Sequence, residues 1–297
     1  MKLLTTACTL ALAILIFACQ TPKQADEAST VDPKEFTTPV TLTMKWETDT
    51  VLSTCESVIY DKVNDVLYVA NINGKDPSAK DGNGFISKVT LAGKVSEPSW
   101  VKGMDAPKGM GIFNGKLYVT DIDRIHEIDI AAGKISKTYP ATGAKFLNDI
   151  TVDNAGGVYV SDTGGGTIYL IKDGSISKWL ENIASPNGLL AEDNQLLVLG
   201  FESKKLSTID VATKQVTQKT DSIDNGDALE AIGGGAYLAS SWNGLVNYIS
   251  PDFKRTLILD TSGDQVNAAD IEYIAEKNLL LVPAFFKNKV VAYELSR

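Results

Sequence analysis

The segment Asn148-Asp-Ile-Thr-Val-Asp-Asn-Ala-Gly-Gly-Val-Tyr-Val-Ser-Asp-Thr-Gly-Gly-Gly-Thr-Ile-Tyr-Leu-Ile-Lys-Asp-Gly-Ser-Ile-Ser-Lys-Trp179 reads as four short strands. Runs beginning at Asn148, Gly157, Thr167 and Ser175 are rich in β-branched and aromatic residues, which suit a pleated, packed surface. Gly, Asp and Asn divide them, and these are turn residues. Helical periodicity is almost absent.

The pattern recurs along the chain. Copies begin at Glu56-Ser-Val-Ile-Tyr, Lys108-Gly-Met-Gly-Ile, Asn148-Asp-Ile-Thr-Val, Asn187-Gly-Leu-Leu-Ala, Asp227-Ala-Leu-Glu-Ala and Ala269-Asp-Ile-Glu-Tyr, with starts 52, 40, 39, 40 and 42 residues apart. Each is followed by a second run, such as Val66-Leu-Tyr-Val-Ala, Lys116-Leu-Tyr-Val-Thr or Leu279-Leu-Leu-Val-Pro. Four strands every forty residues predict an all-β fold, a six-bladed β-propeller. A sandwich or a β-helix explains no such unit. The long first interval holds an insertion, Asn73 to Asn83, expected to be a surface loop. The sixth copy has room for three strands only. The run Val40-Thr-Leu-Thr-Met-Lys-Trp is therefore expected to complete the last blade and close the ring, which leaves no long free edge.

Ahead of the repeats, Lys2 and the apolar run Leu3 to Phe17 read as a signal peptide, too short and one-sided for a membrane span. Ile16-Phe17-Ala18-Cys19 resembles the lipobox of bacterial lipoproteins, which implies a lipid on Cys19. The expected organisation is a lipoprotein signal peptide (1–18), a flexible polar tether (19–38) and the propeller (39–297). The expected location is the bacterial cell envelope, anchored to the membrane on the periplasmic side or the cell surface, as a monomer. A net charge of −9 excludes a nucleic-acid phosphate partner and suits cations. Cys8 lies in the signal, and Cys55 stands alone in the mature domain, so neither an intrachain disulfide nor a thiolate zinc site is available.

In a propeller the first strand of each blade lines the channel. The six starting positions should form a ring at one mouth: Glu56, Lys108, Asn148, Asn187, Asp227 and Ala269. Glu56, Asn148, Asn187 and Asp227 all bear oxygen. Calcium takes 6–8 such ligands, and two carboxylates match its charge. A divalent metal is expected here, calcium first, with manganese, magnesium or zinc as alternatives. Any one of these residues alone would more often be a turn residue; the shared register is what points to a site. Lys108 is expected either to meet an anionic substrate or to line the channel with its ammonium in solvent. Asp270, beside Ala269, is expected to be a turn residue.

Cys55-Glu56-Ser57-Val58, Leu147-Asn148-Asp149, Pro186-Asn187-Gly188-Leu189 and Gly226-Asp227-Ala228-Leu229 resemble the gluconolactonase, senescence marker protein and luciferin-regenerating enzyme family over about residues 40–297, and more distantly diisopropylfluorophosphatase and the paraoxonases. The resemblance implies metal ligation by Glu56, Asn187 and Asp227, with metal or substrate contact at Asn148. It also implies hydrolysis of lactones or related esters. In the expected metal-assisted hydrolysis of a small-molecule substrate, the carbonyl is polarised and a water is activated at the metal or by Asp227. Asn148 orients it, and Lys108 assists with an acidic substrate. The alternative is a non-catalytic, metal-stabilised propeller that binds a ligand or protein partner. His126, the only histidine, falls on a third strand away from the ring, so neither a Ser–His–Asp triad nor a multi-histidine zinc site is expected. Cys55 is expected to pack, and Asn71, Asp121 and Asp162 to shape turns.

Overall fold

A strand covered on one face alternates buried and exposed residues. The second strands of the repeats do not: Val66–Asn71, Val158–Asp162 and Gln195–Gly200 are buried almost throughout. Both faces must therefore be covered, and neighbouring blades cover them. The computed structural model describes residues 39–297 and holds six four-stranded antiparallel sheets there. Residues 1–38, including the signal, the tether and Cys19, lie outside the described residues.

Blades one to five run from Cys55 to Met104, Pro107 to Pro140, Leu147 to Glu181, Pro186 to Thr220 and Gly226 to Asp260. Blade six contains Glu272–Ile274, Leu279–Ala284 and Lys289–Ser296, and its outermost strand is Thr41–Glu47 from the start of the domain. That strand pairs antiparallel from Thr41↔Ser296 to Glu47↔Val291, so the ring closes as the sequence predicts. Between blades lie apolar clusters. Tyr68, Ile86 and Met104 of blade one meet Met110, Leu117 and Ile128 of blade two, and Leu281, Val290 and Ala292 of blade six meet Cys55, Val58 and Val69 of blade one. Truncating one such residue, as in Leu117→Ala, costs about 2–5 kcal/mol.

The fit to expectation has exceptions. The run Phe253-Lys-Arg-Thr-Leu reads as the outer strand of the fifth copy, but the strand begins at Arg255, because Phe253 has φ 61° and sits in the preceding turn. Ala269 and Asp270 precede their inner strand rather than open it; Asp270 meets blade one through a parallel bridge to Ser57.

One irregularity positions the site. In blades one to five the pairing between inner and second strands slips where the ring residues lie: Cys55/Ser57, Pro107/Met110, Leu147/Ile150, Pro186/Leu189 and Gly226/Leu229. A bulge re-aims a side chain and frees backbone groups. Hydroxyls take up some of those groups: Ser57 Oγ donates to Lys108 O at 2.7 Å and Thr120 Oγ1 to Asn148 O at 2.6 Å. The blades approach so closely that a Cβ on Gly109 would lie 2.5 Å from Asp149 Cα, and one on Gly188 2.4 Å from Asp227 O.

Candidate functional site

The bulged segments end in the side chains that the repeat aligns. Glu56, Lys108, Asn148, Asn187 and Asp227 line one cavity of about 350 Å³. They are 5, 1, 8, 1 and 4 % exposed. Five blades thus bring their ring residues to one space. Ala269, from the sixth, packs with Ile72, Ala106, Ile122 and Phe285 in an apolar cluster at one side.

The hydrogen bonds at the floor are incomplete. Asn187 Nδ2 donates to Asp227 Oδ1 at 2.8 Å and to Gly226 O at 3.0 Å. This fixes the amide and leaves Asn187 Oδ1 without a partner. Asp227 Oδ2 and Glu56 Oε2 are likewise buried without partners. The one other such side-chain atom among the described residues is Ser241 Oγ. A buried polar atom left unpaired costs about 1–3 kcal/mol, and native folds leave few. Three acceptors from three blades, facing one cavity, form a concave set of lone pairs. Two carboxylates and two amides are hard-oxygen donors, which suit calcium or a similar cation rather than a thiolate- or imidazole-seeking one. Groups of three or more His, Cys, Asp or Glu side chains placed to hold a metal are absent among the described residues, so any cation here depends on the asparagines.

Electrostatics agree with an electron-rich floor. Burial, then the Asp227 charge, pushes the Glu56 carboxyl well above the usual carboxylate range. Burial pushes Asp227 up to about 7 against the lowering effect of the Asn187 hydrogen bond. Lys108 is buried rather than solvated. Its Nζ donates to Ala106 O at 3.0 Å and lies 4.4 Å from the centre of the Phe146 ring. Burial lowers its pKa to about 8, partly offset by Glu56, Asp121 and Asp76. The expectation of an ammonium reaching solvent does not hold, because the stem is too enclosed to extend outward.

The turn-shaping residues hold the ring from behind. Asn71 Oδ1 accepts Ser53 N–H at 2.9 Å, just before Glu56. Asp121 accepts the N–H groups of Asp105 and Ala106, just before Lys108. Asp162 Oδ1 accepts those of Lys145 and Phe146, just before Asn148. His126 Nε2 lies 3.0 Å from Asp121 Oδ2, away from the cavity. Burial raises Asp121; the His126 and backbone hydrogen bonds outweigh it and hold the carboxyl below its usual range. Cys55 is buried, donates to Lys289 O at 3.2 Å, and has its thiol pushed up to about 12 by burial, so it packs and is not a nucleophile.

The sequence reading missed the cavity walls. Thr163, Phe201, Trp242 and Phe285 line it above the floor, with Phe146 and Phe286. The insertion between Asn73 and Asn83 is more than a surface loop, since Lys75 and Pro77 reach the cavity rim.

No protein-family model matches the chain, and no curated protein matches it by sequence. Solved structures match the fold. A gluconolactonase of Xanthomonas campestris superposes with a TM-score of 0.65 at 14% identity over 82% of this chain and 87% of that one. A streptogramin B lyase gives 0.63 at 15% over 86% and 98%, and the virginiamycin B lyase of Staphylococcus aureus 0.59 at 16% over 87% and 100%. At such identities the likeness is one of fold: the chain is a six-bladed β-propeller, an architecture it shares with a gluconolactonase and with streptogramin-type lyases.

Proposed function

We propose that the chain is a metal-dependent hydrolase of a lactone or related ester. The observation that carries this reading is the trio of buried, unpartnered oxygens on Glu56, Asn187 and Asp227. Glu56, Asn187 and Asp227, with Asn148 beside them, would hold the cation, calcium before manganese, magnesium or zinc. When bound, it supplies Lewis-acid polarisation of a carbonyl and charge to offset a developing oxyanion. The chain supplies the rest. Asn187, held by its two donated hydrogen bonds, orients Asp227. Asp227 Oδ2 is the proton acceptor for the attacking water when it is not tightly ligated, since ligation lowers its basicity. Asn148 orients water or substrate. Lys108 presents a cation to an acidic group on the substrate or to the oxyanion. The gluconolactonase neighbour supports the reaction class. The lyase neighbours are a reminder that a propeller does not choose its chemistry.

On the same reading the protein works at the bacterial envelope, held to the membrane by a lipid on Cys19, as a monomer acting on a small molecule. The deciding experiment is lactone hydrolysis by the purified protein before chelation, after chelation and after calcium is restored. Activity that disappears and returns is the expected result. Full turnover in metal-free protein sinks the mechanism. Calcium binding without turnover on any lactone or ester leaves the non-catalytic binding propeller in its place.

A further inference from the structure

The cavity has two chemistries. Its floor is polar, and its walls are aromatic. Trp242, Phe285 and Phe286 form an edge-to-face triad, with ring centres 5.8, 5.8 and 4.8 Å apart. Phe146 and Phe201 stand on other blades around the same space. Phe286 is 51% exposed, a large apolar ring left to water in a domain whose other phenylalanines have better cover. The wall hydroxyl, Thr163 Oγ1, already donates to Pro186 O at 2.8 Å. The rings are also fixed relative to the floor. Asn288, which ends the Phe285–Lys287 turn, accepts Thr54 N–H through Oδ1 at 2.7 Å, two residues before Glu56. Phe146 is held by Asp162 two residues before Asn148.

The hydroxyls at the edge of a sugar ring need hydrogen-bond partners, which aromatic walls do not supply, whereas a flat apolar ring needs none and stacks on them. We propose that this site selects esters or lactones whose body is an aromatic or similarly flat apolar ring system, and that it discriminates against sugar lactones. The reactive carbonyl would lie at the oxygen-lined floor and the ring between Trp242, Phe286 and the walls opposite. The ester and lactone part of this statement rests on the hydrolase reading above; the apolar ring rests on the walls alone.

The test has two arms. In the first, binding of 2-naphthol and of glucitol, which cannot be hydrolysed, is measured by calorimetry on calcium-saturated protein. Naphthol should bind and glucitol should not. Trp242→Ala and Phe286→Ala should each weaken naphthol about tenfold or more. Phe286 is exposed, so its variant keeps the fold if Trp242→Ala does not. Glucitol binding as well as naphthol, or naphthol binding indifferent to Phe286→Ala, overturns the proposal. In the second arm, kcat/KM is compared for dihydrocoumarin and glucono-δ-lactone. A preference of about tenfold or more for dihydrocoumarin, reduced in Phe286→Ala through KM, supports it. Equal or better use of the sugar lactone overturns it. Naphthol binding with no turnover of either lactone removes the hydrolase reading and leaves the apolar ligand class standing.

Discussion

The channel has two ends, and each gathers carboxyl groups. At one, Glu56 and Asp227 face the cavity with oxygens that nothing among the described residues satisfies. Further along the same inner strands a second cavity of about 200 Å³ is lined by Asp149, Glu230, Asp270 and Glu272. There Asp149 and Glu272 have backbone partners. Asp149 accepts Leu189 N–H and Ile150 N–H, both at 2.6 Å, and Glu272 accepts Tyr60 N–H at 3.2 Å. Asn148 and Asp149 are neighbours in sequence, yet one belongs to the open floor and the other ties blade three to blade four. Acidity alone does not mark a site. A site is marked by acceptors that the fold aims at one point and leaves unsatisfied.

The largest effect should come from exchanging one atom at each end. Asp227→Asn removes the floor's charge at constant shape. It should lower lactone turnover at least about a hundredfold and abolish calcium binding, a loss typical of a removed electrostatic partner in a reaction centre. Asp149→Asn should leave calcium binding in place and act on stability instead, because its bonds are internal. Calorimetric titration of calcium into both variants decides the matter; if both lose the cation equally, the distinction between the two ends is wrong.

A smaller effect is expected of the cation on the intact protein. At a concentration a hundred times its Kd, calcium should stabilise the fold by about 2.7 kcal/mol, raising Tm by roughly 5 °C or more for a domain of this size. Glu56→Gln should cut most of that shift. An unchanged melting point in calcium, followed by scanning calorimetry, would mean that the three oxygens meet something other than a divalent ion.

The channel was largely legible in the sequence because the period is forty residues and the chemistry repeats with it. Any feature placed at one offset in each copy must meet its counterparts on the ring, and Glu56, Asn148, Asn187 and Asp227 did so with one kind of atom. The walls follow an offset just as regular. Ile72, Thr163, Phe201, Trp242 and Phe285 each directly follow the last residue of a second strand. That register mixes aliphatic, hydroxyl and aromatic side chains, so no shared chemistry drew attention to it. The insertion that brings Lys75 and Pro77 to the rim was opaque for another reason: a loop's closure over a site is set by where its ends are anchored, and no periodicity encodes it. Leu189 and Tyr60, which bond Asp149 and Glu272 from other blades, are distant in the chain, so the sequence shows the acids and not their satisfaction.

The second end of the channel should reveal itself through pH. Burial raises Glu272 to about 8 against the lowering effect of the Tyr60 hydrogen bond, with Glu276 adding to the rise, and burial, then the charges of Glu272 and Asp149, hold Glu230 well above the carboxylate range. Both bind protons more tightly in the folded chain than in the unfolded chain, where a glutamate titrates near about 4.3. Folding therefore takes up protons across this window, and stability falls as pH rises from about 4 towards about 8. Denaturant unfolding in saturating calcium, which keeps the floor ionised, should show that decline, and Glu272→Gln should flatten it. Stability that rises over the same range would contradict the assignment.

The smallest effect tests how far the floor depends on what stands behind it. Asp162 does not line the cavity; its carboxylate accepts the N–H groups of Lys145 and Phe146 and thereby sets the approach to Asn148. Asp162→Asn keeps one acceptor and loses the charge, at about 1 kcal/mol of stability. Calcium affinity should stay within about twofold, because Glu56, Asn187 and Asp227 are held by other blades. Turnover should fall less than about tenfold, through displacement of Asn148 and Phe146. Asp162→Glu, which restores the charge one methylene further out, should recover stability more than turnover, since charge is regained and position is not. Equal recovery of both would mean that the clamp supports the blade without positioning the site, and that Asn148 takes its place from the bulge alone.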